Sequence, residues 1–207
     1  WAGDALAPKA TVSVANEQVG LQTYLQSSYI EAFGVLADRL APMEACLGFE
    51  PINEPHRGLI NLHDFHSWNY ATDLHIGHYP SLIQALALGS GYKQHVKFYV
   101  KTWPVPTRVS HTTTIDPKGK SCWLSSSPKG SAALGTCIWR AHGVWEWDES
   151  KQVPVVLQYD YFEKDHRPGR QGQRIEWYRD CYAPFLRRFT ERVNRKSPEA
   201  LTFVEPI

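Results

Sequence analysis

Two helix-then-strand units, each closing on Glu-Pro, constrain this chain more than any other feature. In the first, Leu21, Tyr24, Leu25, Ala32, Val35, Leu36 and Leu40 recur at three- and four-residue steps. That spacing predicts an amphipathic helix from Leu21 to Leu40. After a short break, residues 46–52 read as a buried strand that emerges at Asn53-Glu54-Pro55. In the second unit, Tyr178, Tyr182, Phe185, Phe189 and Val193 share one helical face and Ser197-Pro198 stops the helix. Residues 201–204 then read as another buried strand, running into Glu205-Pro206. Helix–strand followed by helix–strand implies parallel strands joined by crossover helices, so the fold class is α/β.

Between the two units lies an excursion over residues 59–170, rich in His, Trp, Gly, Pro and Ser. Within it, residues 144–148 and 153–157 flank the polar Glu149-Ser150-Lys151-Gln152, a pattern that predicts a β-hairpin. A connection this long does more than link. In a parallel barrel the loops after the strand C-termini build the active site, so 59–170 is a candidate substrate cap.

Composition narrows the function classes. The 207 residues fall short of the ~250 of a complete eight-fold barrel. With 43% hydrophobic and 21% charged residues the chain reads as globular. Its net charge is +1 with Lys and Arg spread along the sequence. No basic stripe recommends nucleic acid, and no polybasic tail recommends an anionic membrane. The outlier is aromatic content: 8 Trp, 10 Tyr and 8 Phe serve either a heavy core or stacking platforms for a sugar ring or a sterol.

No apolar run approaches the ~18 residues of a helical membrane span, and nothing at the N-terminus of this sequence has the build of a signal peptide. Trp1 is not a natural start, so the chain is expected to begin in mid-protein, with targeting signals out of view. The sequence has no Asn-x-Ser/Thr sequon, which disfavours a secreted glycoprotein. The expected location is intracellular, cytoplasmic or vacuole-associated. Cys46 and Cys181 read as reduced core residues, whereas Cys122 and Cys137 flank a Ser/Gly-rich loop where pairing is open.

Asn53-Glu54 is the candidate catalytic pair. A carboxylate at the C-terminal tip of a parallel strand is partly desolvated, which lets it hold a proton at neutral pH. A glycosidase needs such an acid on the leaving oxygen and a second carboxylate at the anomeric carbon. A neighbouring amide can bond the sugar 2-OH as the oxocarbenium-like transition state forms. Pro55 biases Glu54 away from a helical conformation. The tripeptide alone equally suits an exposed loop; its place after a strand and before an aromatic loop favours chemistry.

Residues 48–58, Gly-Phe-Glu-Pro-Ile-Asn-Glu-Pro-His-Arg-Gly, resemble the fourth-strand motif of family 5 glycoside hydrolases. More narrowly, the chain resembles the fungal branch containing steryl-β-glucosidases and glucosylceramide-cleaving enzymes, relatives of endoglycoceramidases. Supporting stretches are Trp1-Ala2-Gly3, Tyr24-Leu25-Gln26-Ser27, Asp73-Leu74-His75-Ile76-Gly77, Tyr99-Val100-Lys101, Gly143-Val144-Trp145-Glu146-Trp147 and Phe203-Val204-Glu205-Pro206-Ile207. The resemblance implies a partial (β/α)8 TIM barrel, about helix 3 to strand 5, with a long insertion after strand 4. It gives Glu54 the acid/base role and Asn53 the 2-OH contact, and it puts the nucleophile on strand 7, beyond Ile207. The implied reaction is retaining hydrolysis of a β-glucoside of a lipid, steryl glucoside or glucosylceramide, with no cofactor and with peripheral contact to membrane lipid. The alternatives are a non-catalytic carbohydrate- or lipid-binding barrel relative and an inactive truncated product.

Glu205 mirrors Glu54 by pattern and would suit the ~5 Å separation of retaining chemistry. The family pattern instead makes it line the mouth or orient a neighbour. His56, Trp68, His75, Trp103, Trp145 and Trp147 are further candidate substrate contacts, each equally readable as a packing residue. His63/His66 and His75/His78 have spacings a metal could use, but no Cys or carboxylate set completes a site and none is expected. Arg57 is expected to anchor its loop by pairing with a carboxylate.

Overall fold

The computed structural model describes residues 1–67, 75–104, 107–123 and 136–205. They form two compact units: Trp1–Asn61 with Glu163–Ile207, and Leu62–Phe162. In chain order the first unit begins with α1 (Gly3–Leu6), the hairpin of β1 (Thr11–Val14) and β2 (Glu17–Gly20), α2 (Leu21–Leu40) and β3 (Gly48–Phe49). The second holds β4 (Gly77–His78), α3 (Leu82–Gly89), β5 (Gln94–Lys101), β6 (Thr107–Ile115), α4 (Ile138–Ala141), β7 (Trp145–Asp148) and β8 (Val153–Val156). The first unit then closes with a π-helical turn (Tyr178–Tyr182), α5 (Ala183–Val193) and β9 (Leu201–Thr202).

The long helix starts where the sequence places it, but its cap comes from elsewhere. The first backbone N–H groups of a helix lack partners within it. Asp4 of α1 supplies them: its carboxylate accepts the N–H of Gln22 at 2.9 Å, the N–H of Thr23 at 3.2 Å and the Thr23 hydroxyl at 2.6 Å.

The packed face of α2 differs from the expected one. Leu25 and Val35 are 55% and 48% exposed, while Ile30, Gly34 and Ala37 are buried. α5 lies on that face, with Phe33 against Phe189 at 5.2 Å. The buried Arg192 donates to Glu31 at 2.7 and 2.8 Å and to Asp38 at 3.2 and 3.1 Å. These hydrogen bonds hold both carboxyls below their ordinary range. Gly34 makes room for the guanidinium, since a Cβ there would sit 2.1 Å from Arg192 Cζ. A hydrophobic count cannot see such a face, because its central residue has no side chain.

β3 and β9 pair in parallel, Gly48 opposite Leu201 and Phe49 opposite Thr202, as a helix–strand repeat requires. Each is only two residues long, and Leu201 is 56% exposed, so neither is the fully buried strand expected. Gly48 permits the close approach: a Cβ would stand 2.1 Å from the Leu201 carbonyl oxygen. Tyr178 is exposed in the π-helical turn rather than on the buried face of α5. The content is α/β, and the described residues contain no closed barrel.

In the second unit β4, β5 and β6 form an antiparallel sheet in that order, with the register shifting between Phe98 and Tyr99. The hairpin of β7 and β8 forms as its alternation predicts, and Asp148 Oδ1 accepts the N–H of Ser150 at 2.9 Å and of Lys151 at 3.1 Å in its turn. All four cysteines are free thiols; Cys122 is exposed and Cys137 buried, so they do not pair. Cys46 is only half-buried rather than a core residue, whereas burial of Cys181 pushes its thiol up to about 11. No described helix is long and apolar enough to cross a membrane.

Candidate active site

Asn53 and Glu54 leave the C-terminal end of β3 exposed to solvent. Three anchors hold their segment. The Phe203 N–H donates to the Phe49 carbonyl at 3.0 Å, extending the parallel pairing. The Tyr29 hydroxyl, on α2, donates to the carbonyl of buried Pro51. The Glu205 carboxylate, beyond β9, accepts the backbone N–H of Glu54. Glu54 itself has φ of +44°, left-handed backbone that a non-glycine residue adopts at a cost of about 1–3 kcal/mol. Such a conformation persists where its surroundings over-determine it, and here both flanks are tied down.

The partial desolvation expected around Glu54 is not supplied within its own unit, where the residue is exposed. An apolar groove of about 530 Å³ begins two residues earlier, at Ile52, and runs past Tyr29, Leu25, Leu21, Trp1 and Phe185. Trp1 meets Trp177, Tyr182 and Phe185 edge-on, with centroids 4.9 to 5.6 Å apart. The Tyr182 hydroxyl is pushed up by burial first, then by Tyr178 and the carboxylates of Glu205 and Glu50, so it keeps its proton. Tyr29 escaped the sequence reading, and Tyr182 entered it only as part of a helical face, because their contacts depend on partners far along the chain.

The remaining candidates scatter. His56 is exposed, with Nδ1 accepting the Gly58 N–H at 2.9 Å. Arg57 is exposed and makes no ion pair among the described residues, so it does not anchor the loop through a carboxylate. In the second unit His75 is fully buried against Tyr79 and Tyr99. Trp145 is fully buried too, its Nε1 donating to Cys137 Sγ at 3.5 Å; it offers no face to a ligand and is a packing residue. Trp147 stacks on Tyr92 at 4.1 Å and borders a cavity of about 320 Å³ with Lys93 and Asp116. Trp103 is 92% exposed. Trp68 lies outside the described residues. Among the described residues no three His, Cys, Asp or Glu side chains gather as metal ligands.

A glucosylceramidase of Cryptococcus neoformans var. grubii is 36% identical over 196 residues, which cover 92% of this chain and 25% of that protein. An ergosteryl-beta-glucosidase of Saccharomyces cerevisiae is 29% identical over 205 residues, 89% of this chain and 26% of that protein. The crystal structure of Cryptococcus neoformans sterylglucosidase 1 superposes with a TM-score of 0.82 at 31% identity, over 99% of this chain and 29% of that one. The chain is homologous to fungal glucosylceramidases and steryl glucosidases. It spans about a quarter of the length of the curated relatives it matches, and no family model matches it. The superposition gives the chain the fold of the matching part of a sterylglucosidase.

Proposed function

We propose that the whole protein carrying this chain hydrolyses the β-glucosidic bond of a lipid glucoside, a steryl glucoside or glucosylceramide, by double displacement. Its frame is a (β/α)8 barrel of which this chain forms about helix 3 to strand 5, with β3 and β9 as neighbouring barrel strands. Two features support that frame: the parallel β3–β9 pair, and the exposed apolar stripe of α2, where Tyr24 and Val35 border an apolar groove of about 630 Å³. Elements of a completed barrel would cover both. Residues 59–170 would form the substrate cap over the mouth.

The observation that carries the reading is Asn53-Glu54 directly after a parallel strand, in a chain similar end to end to enzymes named for this reaction. Glu54 protonates the departing oxygen as a second carboxylate, outside this chain, attacks the anomeric carbon. Glu54 then takes a proton from the water that opens the glucosyl-enzyme ester. Asn53 holds the sugar 2-OH, a bond that strengthens as positive charge develops on the ring. No part falls to a metal or cofactor.

Replacing Glu54 by Gln in the whole protein tests the assignment. Turnover of steryl glucoside, whose poor leaving group needs the acid, should vanish. A Gln variant with wild-type turnover on that substrate would remove Glu54 from the mechanism.

A further inference from the structure

The second unit carries a feature that the proposed chemistry at Asn53 and Glu54 does not use. β5 and β6 pair from Gln94 opposite Ile115 to Lys101 opposite Thr107, making a two-stranded ribbon. Just past Lys101, at the ribbon's end, stands Trp103, 92% exposed and without an aromatic partner among the described residues. Residues 94–115 contain Lys97, Lys101 and Arg108 and no Asp or Glu. All three cations are exposed, and none forms an ion pair among the described residues. Lys101, opposite Thr107, and Arg108, opposite Val100, flank the ribbon's end on its two faces, with Lys97 further back opposite Thr112.

A fully hydrated indole beside unneutralised cations suits the wet boundary of a bilayer. Trp settles where an apolar ring meets a wet boundary, at the headgroup level of a bilayer. Lys and Arg close to an anionic leaflet are drawn to it, each strengthening partitioning about fivefold. We propose that the end of the β5–β6 ribbon is a docking tip for an anionic lipid bilayer, with Trp103 at the headgroup level and Lys101 and Arg108 against the lipid charges. The inference deepens the proposed function, because a lipid glucoside lies in such a surface. The docking itself does not depend on turnover.

The test is co-sedimentation of the whole protein with vesicles of phosphatidylcholine, alone or mixed with phosphatidylserine, at low and high salt. Wild type should sediment with the anionic vesicles and be released by salt. The paired variant Lys101→Glu, Arg108→Glu should bind anionic vesicles at least about twentyfold more weakly, two charges at about fivefold each, while cleaving a soluble aryl glucoside as wild type does. Trp103→Ala should weaken binding to both vesicle types. Wild-type protein that ignores vesicles, or variants that bind as wild type does, would overturn the proposal. So would a Trp103→Ala protein that sediments normally but loses turnover of the soluble glucoside, since Trp103 would then be a sugar contact. Vesicle binding with this charge pattern in a protein that cleaves no glucoside would support the docking tip and sink the hydrolase reading instead.

Discussion

The carboxylate of Glu205 accepts the backbone N–H of Glu54, a residue 151 positions earlier in the chain. The contact ties the proposed acid to the end of the neighbouring strand at the point where the Glu54 backbone is left-handed. Pattern alone would make Glu205 a nucleophile. The geometry aims its carboxylate at the protein backbone.

That difference can be measured in the whole protein. Glu205→Gln keeps a carbonyl oxygen for the N–H and should retain most of kcat. Glu205→Ala should lower kcat by about tenfold to a hundredfold with KM little changed, the scale of a small misplacement of a catalytic group. Added azide should not restore the Ala variant, because Glu205 carries no sugar. Recovery as a glucosyl azide would make Glu205 the nucleophile.

Gly48→Ala should separate β3 from β9. The new Cβ would meet a backbone carbonyl 2.1 Å away, which cannot swing aside as a side chain would. A loss of stability on the order of 3 kcal/mol is expected from such overpacking, together with activity. Chemical unfolding checks the first and glucoside turnover the second; a variant as stable as wild type would dissolve the argument for this pairing.

Asp4→Ala should destabilise the first unit by about 1–2 kcal/mol, the usual scale of a lost helix cap. Asp4→Asn, which keeps an acceptor for the N–H groups of Gln22 and Thr23, should lose less. Urea unfolding followed by circular dichroism reads both, and equal losses in the two variants would count against capping.

Acid should weaken the same unit through Asp180. The hydrogen bond from Arg179 comes first, then the backbone N–H of Glu176, and together with the charges of Arg179 and Arg170 they lower its carboxyl from 3.8 to about 2 against the cost of burial. A depressed pKa in the folded state favours the folded protein wherever the unfolded carboxyl is ionised. The contribution is therefore present above pH 3.8 and is lost as pH falls toward about 2. Asp180→Asn should flatten the decline of Tm across that window, and an unchanged slope would show that Asp180 contributes nothing to it.

Local features were legible in the sequence, and tertiary ones were not. The apolar period of α2 carried its bounds, Leu21 to Leu40, and the polar stretch at residues 149–152 carried the β7–β8 hairpin. Asn53-Glu54 and the stretches around it carried the likeness to glycolipid glucosidases. Each signal lies within a few residues, where the periods of helix and strand or a run of identities can record it. Only the tertiary structure decided which face of α2 is packed, that Asp4 caps it, that Arg192 crosses at Gly34, and that Trp145 is core while Trp103 stands in water. It also decided that Glu205 serves the backbone of Glu54. These depend on which distant surfaces meet, and a one-dimensional pattern holds the period of a face without holding its partner.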